Sequence, residues 1–301
     1  MTQMEKNPLI SVIVVTYNSS KYVQETLESA KAQTYSNIEL IITDDCSKDN
    51  TVEICERWLE KNKTRFINTH LIIAKKNTGI PGNCNRGLNA SKGELLKFIA
   101  GDDVILPEFI EQSLKEFQTD NNIAVTFTNA KIIDEKSNII RNLSTKKYKS
   151  GYIFKEIFFV DFWPAAPSFM FKREPVLEVG GFDETIGVED YMLILKLAQK
   201  YKIQHVNEFL TLYRMHSSNI SKNRNFLYDS HLETINHFKH YKGYKKRVKQ
   251  LKTNLIYGYA KTNKKEAIKL ILKNLNTLSF EIIWLKILFH LFLPRKLVQY
   301  R

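Results

Sequence analysis

Two adjacent carboxylates, Asp102 and Asp103, follow an apolar run in the first half of the chain. The run spans Leu95–Ala100, and Gly101 separates it from the aspartates. This order predicts a buried strand whose carboxyl end presents both side chains, where open α/β sheets bind ligands. A divalent cation would relieve their repulsion, because Mg²⁺ and Mn²⁺ take oxygen ligands and often bridge carboxylates to phosphates. The alternative is the start of a helix, which also favours acidic residues.

Polar side chains also follow two earlier apolar runs. Tyr17 comes after the run from Leu9 to Val15, and Asp45 comes after the run from Ile38 to Thr43. Parallel strands bring their carboxyl ends to one edge of a sheet, so we expect these groups to lie near the aspartate pair. Each motif alone is weak evidence. Their convergence at one edge is what indicates a ligand site.

The second half of the chain carries further candidate side chains. Trp163 precedes a stiff loop with two prolines, which suits a sugar ring on an aromatic face or an ordinary turn. Glu189 and Asp190 begin a predicted helix, a position that the helix dipole favours and that holds a carboxylate rigidly. Arg214 and His216 are two residues apart on a predicted strand, so they share a face that suits a phosphate or a metal ion.

Strand and helix patterns alternate four times before Asp103, which predicts parallel βαβ units and an α/β fold. The third strand is predicted from His70 to Ala74, and a short helix over 83–91. No G-x-G-x-x-G follows the first strand, and no P-loop motif occurs. A dinucleotide site and a P-loop NTPase are therefore disfavoured, and a metal on the aspartate pair would have to hold any phosphates.

Charge is distributed unevenly along the 301 residues. Residues 222–301 contain 18 Lys and Arg against 4 Asp and Glu, a net charge of +14, whereas residues 1–221 carry a net charge of −1. This shift predicts a near-neutral domain over 1–221 and a basic helical region over 222–301. The basic region favours an anionic partner, either a membrane surface or nucleic acid, or it is a solvated helical face.

The last predicted helix covers residues 280–293, and its stretch 282–293 has only a narrow polar stripe at Lys286 and His290. It is too short to span a bilayer, which takes about 20 apolar residues. It could lie in the membrane interface beside the Lys-rich helices, or pack on the catalytic domain or a second subunit of a homo-oligomer. Nucleic acid is the weaker alternative, because aromatic residues are not interleaved with the lysines on a sheet.

The three cysteines, Cys46, Cys55 and Cys84, form no Cys-x-x-Cys pair and have no nearby histidine at ligand spacing. A zinc site is therefore disfavoured, and a reduced, cytosolic setting is expected. Residues 1–7 are polar and do not resemble a signal segment.

Taken in order, these motifs resemble the inverting nucleotide-sugar glycosyltransferases of family 2, of the kind that builds bacterial surface polysaccharides. The resemblance covers about residues 8–220 and implies a GT-A fold, a Rossmann-like, mostly parallel sheet flanked by helices, here with a C-terminal helical appendage. The matching motifs are residues 11–18, 44–47, Asn77 with Gly79, 85–87, 101–103, 180–184, 189–190 and 213–216.

The resemblance also implies roles for individual residues. Tyr17 would pack on the nucleobase and Asp45 would accept the imide N–H of uracil. Asp103, helped by Asp102, would hold Mn²⁺ or Mg²⁺ on the diphosphate, and His216 would complete the metal or phosphate shell. Asp190 would be the general base. The remaining implied contacts are with the nucleotide for Val15, Gly79 and Asn85, and with the donor or acceptor sugar for Trp163, Glu189 and Arg214.

One departure concerns the metal strand, where many relatives have Asp-x-Asp-Asp and this chain has Ala100 in the first position. Metal binding would then depend on the last two aspartates. The position near Gly79 offers no arginine to the phosphates, so Arg86 or Arg214 would substitute.

The function implied is metal-dependent, inverting transfer of one sugar from a UDP-sugar to a hydroxyl of a glycan or lipid-linked acceptor. The enzyme would be cytoplasmic and peripheral on the inner face of the cell membrane. A nucleotidyltransferase acting on a sugar phosphate is the alternative. It is disfavoured because the loop after the first strand, Tyr17-Asn18-Ser19-Ser20, is not rich in Gly and Arg.

Overall fold

The computed structural model describes residues 7–143, 148–160, 164–217, 219–274 and 282–292. The chain divides into two compact units, Met1–Asn219 and Ile220–Arg301. The first unit is an α/β domain and the second is helical.

The described part of the first unit contains nine strands in one sheet, in the order β3-β2-β1-β4-β8-β6-β9-β5, with β7 paired to β6. The strands are β1 (Ile10–Thr16), β2 (Ile38–Asp44), β3 (Asn68–Ile73), β4 (Leu95–Ala100), β5 (Val104–Ile105), β6 (Ile123–Ile133), β7 (Ile139–Asn142), β8 (Phe169–Lys172) and β9 (Lys202–Arg214).

Helices flank this sheet, and four more form the second unit within the described residues. Those of the first unit are α1 (Val23–Lys31), α2 (Thr51–Asn62), α3 (Gly79–Ala90), α4 (Phe109–Thr119), α5 (Phe154–Phe159), α6 (Arg173–Glu178) and α7 (Glu189–Ala198). Those of the second are α8 (Arg224–Asn236), α9 (Tyr244–Thr262), α10 (Lys264–Asn274) and α11 (Ile282–Phe292).

The first four strands are all parallel, which confirms the predicted βαβ units. Strand β1 is almost wholly buried between β2 and β4, as its β-branched sequence requires. Thr16 pairs with Asp44, and Val15 pairs with Ala100. This register brings the carboxyl ends of β1, β2 and β4 to one level.

Beyond β4 the sheet is no longer purely parallel. Strand β8 joins β4 and β6 antiparallel, while β6 and β9 are parallel to each other. The core on one side of the sheet combines both halves, since Val14 and Ile99 belong to the same buried cluster as Met170 and Leu210.

The main difference from the predicted elements is the start of α3. The sequence predicts a loop to Gly82 and a helix from residue 83, but α3 begins at Gly79. Residues Gly79–Gly82 form the first turn of this helix, and Gly79, where the chain enters it, has a φ of +80°, which glycine adopts without steric cost.

The second unit has its own small core between α9, α10 and α11, formed by Ile256, Ala260, Ala267, Trp284 and Ile287. At the start of α8, the Asn223 side chain accepts a hydrogen bond of 3.1 Å from the Phe226 N–H, an ordinary N-cap. None of the helices in the described residues is both long and apolar enough to cross a membrane.

Candidate active site

The ends of three parallel strands meet at the predicted edge. The Gly101 N–H donates to the Val15 carbonyl at 2.9 Å, and the Asp45 N–H donates to the Thr16 carbonyl at 3.0 Å. A Cβ on Gly101 would lie 2.9 Å from Thr16 Cγ2, so glycine is needed where β4 passes β1. Tyr17 follows directly and is half exposed. The structure therefore brings the three polar strand ends together.

Asp45 is buried, and its carboxylate anchors the start of α3. It accepts hydrogen bonds from Thr78 N (2.9 Å), Thr78 Oγ1 (2.8 Å) and Gly79 N (2.8 Å), and Arg86 Nη2 lies 3.2 Å from it. Both carboxylate oxygens thus already have donors within the chain. Recognition of a uracil N–H by Asp45 stays a prediction, and it requires a base to compete with these donors.

Asn83 is a site residue that the sequence analysis missed. It is buried, and its side-chain amide donates to the Thr16 carbonyl at 3.1 Å and to the Thr43 carbonyl at 3.0 Å. It also accepts from Arg86 Nη1 at 2.5 Å. One side chain therefore links the ends of β1 and β2 to α3. The only signal in the sequence is a polar residue on a face of α3 that is otherwise small or apolar.

Asp102 and Asp103 have different surroundings. His216 Nε2 lies 2.8 Å from Asp102 Oδ2, and both side chains are partly exposed. Asp103 is 2% exposed, and its Oδ1 accepts the Arg214 N–H at 2.9 Å. Burial, followed by the charge of Asp102, raises the pKa of Asp103. Of the two aspartates predicted to share a metal with His216, Asp102 is the one whose carboxylate contacts the imidazole, and the metal roles of all three residues stay predictions.

The Arg214 guanidinium is engaged by groups of its own chain. The side chain is buried, with Nε donating to the Asp102 carbonyl at 2.7 Å and Nη1 donating to the Asp134 carbonyl at 3.0 Å. Nη2 pairs with Glu25 at 2.5 Å, and the guanidinium lies 4.6 Å from the centre of the Tyr22 ring. This corrects the prediction that Arg214 contacts a sugar or phosphate, because its donors hold three parts of the fold together.

Tyr22 is a second residue that sequence reasoning missed. Its ring packs against the imidazole of His216 with centroids 5.2 Å apart, and Arg214 covers it. Tyr22 thus supports the histidine beside Asp102. It precedes α1 directly, and the sequence alone suggests only a core position on that helix.

The described residues contain no group of three or more His, Cys, Asp or Glu side chains arranged to hold a metal ion. The Asp102–His216 pair offers two ligand atoms 2.8 Å apart. That donor set fits a cation such as Mn²⁺ or Mg²⁺ that is completed by substrate phosphates, because such sites use one or two carboxylates rather than a full protein cage.

Glu189 and Asp190 form the first turn of α7, as predicted. Burial, followed by the charge of Asp190, raises the pKa of Glu189 to about 8. The charges of Glu189, Asp190 and Asp45 also raise the pKa of the buried Cys84 thiol on α3, after burial itself. The two acidic groups of α7 therefore lie around the same helix that Asp45 anchors.

Asn85 links α3 to the turn that precedes α7. Its Nδ2 donates to the Phe182 carbonyl at 2.8 Å and to Glu184 at 2.9 Å, and its Oδ1 accepts the Phe182 N–H at 3.0 Å. This side chain therefore braces α3 against the turn before α7. The predicted nucleotide contact of Asn85 has no support in this geometry.

The remaining predicted contacts have different outcomes. Val15 is half-buried at the end of β1 and the Gly79 N–H is bonded to Asp45, so their nucleotide contacts stay predictions. Trp163 lies outside the described residues. The loop after it is held by the buried Lys97, whose ammonium donates to the carbonyls of Pro167 and, at 3.2 Å, Phe169.

The cysteines are all reduced, and they differ in access. Cys55 and Cys84 are buried, and burial raises the pKa of Cys55 to about 12. Cys46 is partly exposed, next to Asp45, with Lys48 Nζ 3.2 Å from its sulfur.

Comparison with known proteins agrees with this fold. The model of glycosyl transferase family 2 matches residues 11–180. An uncharacterised glycosyltransferase of Methanocaldococcus jannaschii is 30% identical over 247 residues, which are 78% of this chain and 83% of the relative. The chondroitin synthase of Escherichia coli is 29% identical over 77% of this chain, but the chain spans only 33% of that synthase.

Two solved structures share the architecture at low sequence identity. A mannosyltransferase of Pyrobaculum calidifontis, in complex with GDP-Man and Mn²⁺, has a TM-score of 0.63 and 16% identity, and the match covers 95% of this chain and 85% of that one. TarS of S. aureus, residues 1–349 in complex with UDP-GlcNAc, has a TM-score of 0.60 and 17% identity, covering 97% and 93%.

The structural matches support the GT-A fold, and the sequence matches extend across the strands that carry Asp45, Asp102 and Asp103. A family model covers more than half of the chain, and a relative at 30% identity aligns over most of both proteins. The chain therefore belongs to glycosyltransferase family 2 and is a glycosyltransferase.

Proposed function

We propose that the enzyme transfers one sugar from a UDP-sugar to a hydroxyl of a glycan or lipid-linked acceptor in surface polysaccharide synthesis, with inversion at the anomeric carbon. The observation that carries the proposal is the gathering of carboxylates from three elements. Asp102 stands with His216 at the end of β4, while Asp45 from β2 and Asp190 from α7 lie around α3. One carboxylate can hold the cation that a leaving diphosphate needs, and another can take the proton of an acceptor hydroxyl.

Asp102 and His216 are the residues that would hold Mn²⁺ or Mg²⁺. When bound, the cation neutralises the negative charge that develops on the leaving diphosphate. Asp103 supports this site from behind, since its carboxylate fixes the backbone of Arg214 two residues before His216. Tyr22 fixes the imidazole ring from the side. The chain thus positions both ligands through residues that are themselves buried or stacked.

Asp190 is the proposed general base that takes the acceptor proton as the hydroxyl attacks. The pKa of its neighbour Glu189 is raised to about 8, so Glu189 is mostly protonated at neutral pH. Glu189 and Asp190 together then carry less than two negative charges. A protonated Glu189 can donate a hydrogen bond to the acceptor, while Asp190 accepts one. A single displacement of this kind inverts the anomeric centre and needs no covalent carboxylate nucleophile.

Two relatives support the choice of donor and product. TarS of S. aureus was solved with UDP-GlcNAc, and the chondroitin synthase of Escherichia coli is named for a polysaccharide product. On these grounds a UDP-hexose or UDP-N-acetylhexosamine is the proposed donor. The acceptor is proposed to be presented at the cytoplasmic face of the cell membrane, with the basic region 222–301 as the contact to anionic lipid.

The test is a panel of nucleotide sugars incubated with the enzyme and Mn²⁺, with release of free nucleoside diphosphate as the readout. We expect slow hydrolysis of one UDP-sugar and none without metal. Release of pyrophosphate from UTP and a sugar phosphate would instead identify a nucleotidyltransferase and end this proposal. Hydrolysis of a GDP-sugar alone would overturn the uridine assignment while keeping the reaction class.

A further inference from the structure

Helix α11 has two apolar faces, and the described part of the chain covers one of them. Trp284 and Ile287 are buried in the small core of the second unit, where they meet Ile256 and Ala260 of α9 and Ala267 of α10. Eleven residues of α11 include only two polar ones. An amphipathic helix that served only this core would carry polar residues on its outer side.

The outer side of α11 carries large apolar residues instead. Leu285 is 70% exposed, Phe289 is 60% exposed and Phe292 is 83% exposed, and Leu288 lies among them. Their spacing of three and four residues places all four on one side of the helix. These four residues are called the α11 ridge below. Four adjacent large apolar side chains in water indicate an interaction surface, whereas single exposed apolar residues are ordinary.

Helix α10 exposes a face of mixed character. Ile268 and Leu272 are exposed and lie four residues apart, interleaved with the exposed Lys265, Lys269 and Lys273. Residues at these separations are neighbours on a helix surface. The face therefore combines apolar groups with long basic side chains whose ammonium groups can reach outward.

Cations also gather at the end of the α11 ridge. Lys264 Nζ donates to the Leu291 carbonyl at 2.9 Å, which places the start of α10 beside the last turn of α11. Burial, followed by the charges of Lys261 and Lys264, lowers the pKa of His290 on that turn. In sequence, helices α9 to α11 together hold 11 Lys and Arg against a single acidic residue, Glu266.

We propose that the α11 ridge and the exposed face of α10 form a docking surface for an anionic lipid bilayer, with the ridge inserted at the level of the headgroups. Apolar side chains set among lysines, with almost no carboxylates, match an interfacial helix on anionic lipid. The inference deepens the membrane contact of the proposed function by naming the surface that makes it. A second copy of the chain fits less well, because two such surfaces would bring like charges together.

The test is co-sedimentation of the full chain with vesicles of phosphatidylcholine, with and without about a third phosphatidylglycerol. We expect binding to the anionic vesicles that weakens as salt is raised from roughly 50 to 500 mM. The triple variant Leu285→Ser, Phe289→Ser, Phe292→Ser should lose at least about tenfold in apparent lipid affinity. The matched control is Ile139→Ser with Ile140→Ser, two exposed apolar residues on β7, which should bind as the wild type does.

Donor hydrolysis without vesicles separates this inference from the proposed function. Ridge variants that hydrolyse the donor at the wild-type rate are folded, so unchanged vesicle binding by them would overturn the docking surface. Equal binding to neutral vesicles would overturn the role of charge. Loss of a dimer in light scattering, together with no vesicle binding by the wild type, would assign the ridge to a second copy. Vesicle binding by an enzyme that hydrolyses no nucleotide sugar would overturn the proposed function alone.

Discussion

Asp102 and Asp103 are neighbours in the chain, but their carboxylates face different tasks. Asp102 meets His216 at a partly exposed position, while Asp103 is buried and holds the backbone of Arg214. The carboxylate oxygens of Asp45 likewise accept hydrogen bonds from the start of α3. In the proposed site Asp102 would take the cation, while Asp103 and Asp45 shape the edge.

The aspartate pair allows a matched comparison. Asp102→Asn should lower the Mn²⁺-dependent affinity for UDP by at least about tenfold, because a charged ligand is lost. Asp103→Asn should change it less, because the asparagine still offers an oxygen to the Arg214 N–H. Isothermal titration of UDP with and without Mn²⁺ measures both. A larger loss of Mn²⁺-dependent UDP affinity in Asp103→Asn than in Asp102→Asn would indicate that Asp103 is the metal ligand.

Asp190→Asn tests the base. We expect kcat to fall by about 10²–10⁴, the usual contribution of general base catalysis, with the affinity for UDP retained. Transfer rates and UDP titration on the same preparation give the two values. Wild-type turnover in this variant would show that another group takes the proton.

Glu189 makes stability depend on pH. Its pKa is raised from 4.5 to about 8 in the folded protein, so between these values the native state holds a proton that the unfolded chain has released. Stability contributed by this group is therefore present below about pH 4.5 and is lost as the pH rises towards 8. Glu189→Gln should raise Tm relative to the wild type more at about pH 8.5 than at about pH 5.

Thermal melting of both proteins at the two pH values checks this expectation. Glu174→Gln is the control, because Glu174 is an exposed glutamate in the first turn of α6. A Tm difference for Glu189→Gln that is the same at both pH values would contradict the shifted pKa.

At the level of elements, the sheet edge is assembled by side chains that tie one segment to another. Arg214 at the end of β9 binds the β4–β5 connection through Asp102, the β6–β7 turn through Asp134 and Ser137, and α1 through Glu25. Asn85 does the same between α3 and the turn before α7. Such links fix the relative positions of elements that are distant in sequence.

Arg214→Lys should lower the free energy of unfolding by about 3 kcal/mol, because one ammonium cannot replace the forked set of donors that reaches the Asp102 carbonyl, the Asp134 carbonyl and Glu25 together. Urea denaturation of the full chain measures the change. Arg141→Lys, at an exposed position of β7, should have little effect. Equal stability of the two variants would mean that the Arg214 links contribute nothing.

At the scale of the molecule, the parallel half of the sheet could be predicted because β-branched runs alternate with helical periodicity over residues 9–103. The roles of Arg214 and Asn85 could not, because a polar residue in a ligand-binding motif and a polar residue that braces the fold have the same sequence signal. The pairing of His216 with Asp102 also depends on a contact across 114 residues. Burial and hydrogen-bond partners decide these roles, and neither can be read from spacing.

The two units differ in the size of their cores. Among the described residues, the cluster of the second unit buries five apolar residues, whereas a single cluster of the first unit buries 24. Ile287→Ala should therefore cost about 2 kcal/mol or more and should speed amide exchange in α9 and α11 while leaving β1 and β2 protected. Hydrogen exchange read by mass spectrometry checks it. We propose that residues 1–221 and 222–301 are separately stable domains. Equal loss of amide protection in β1 and α9 would contradict this proposal.

The unequal access of the three thiols has a practical consequence. A maleimide dye should attach at Cys46 and spare the buried Cys55 and Cys84. The label would stand one residue from Asp45, so its fluorescence could follow nucleotide arrival in real time. The wild-type chain thus carries a built-in attachment point for an optical probe, and no cysteine has to be engineered or removed.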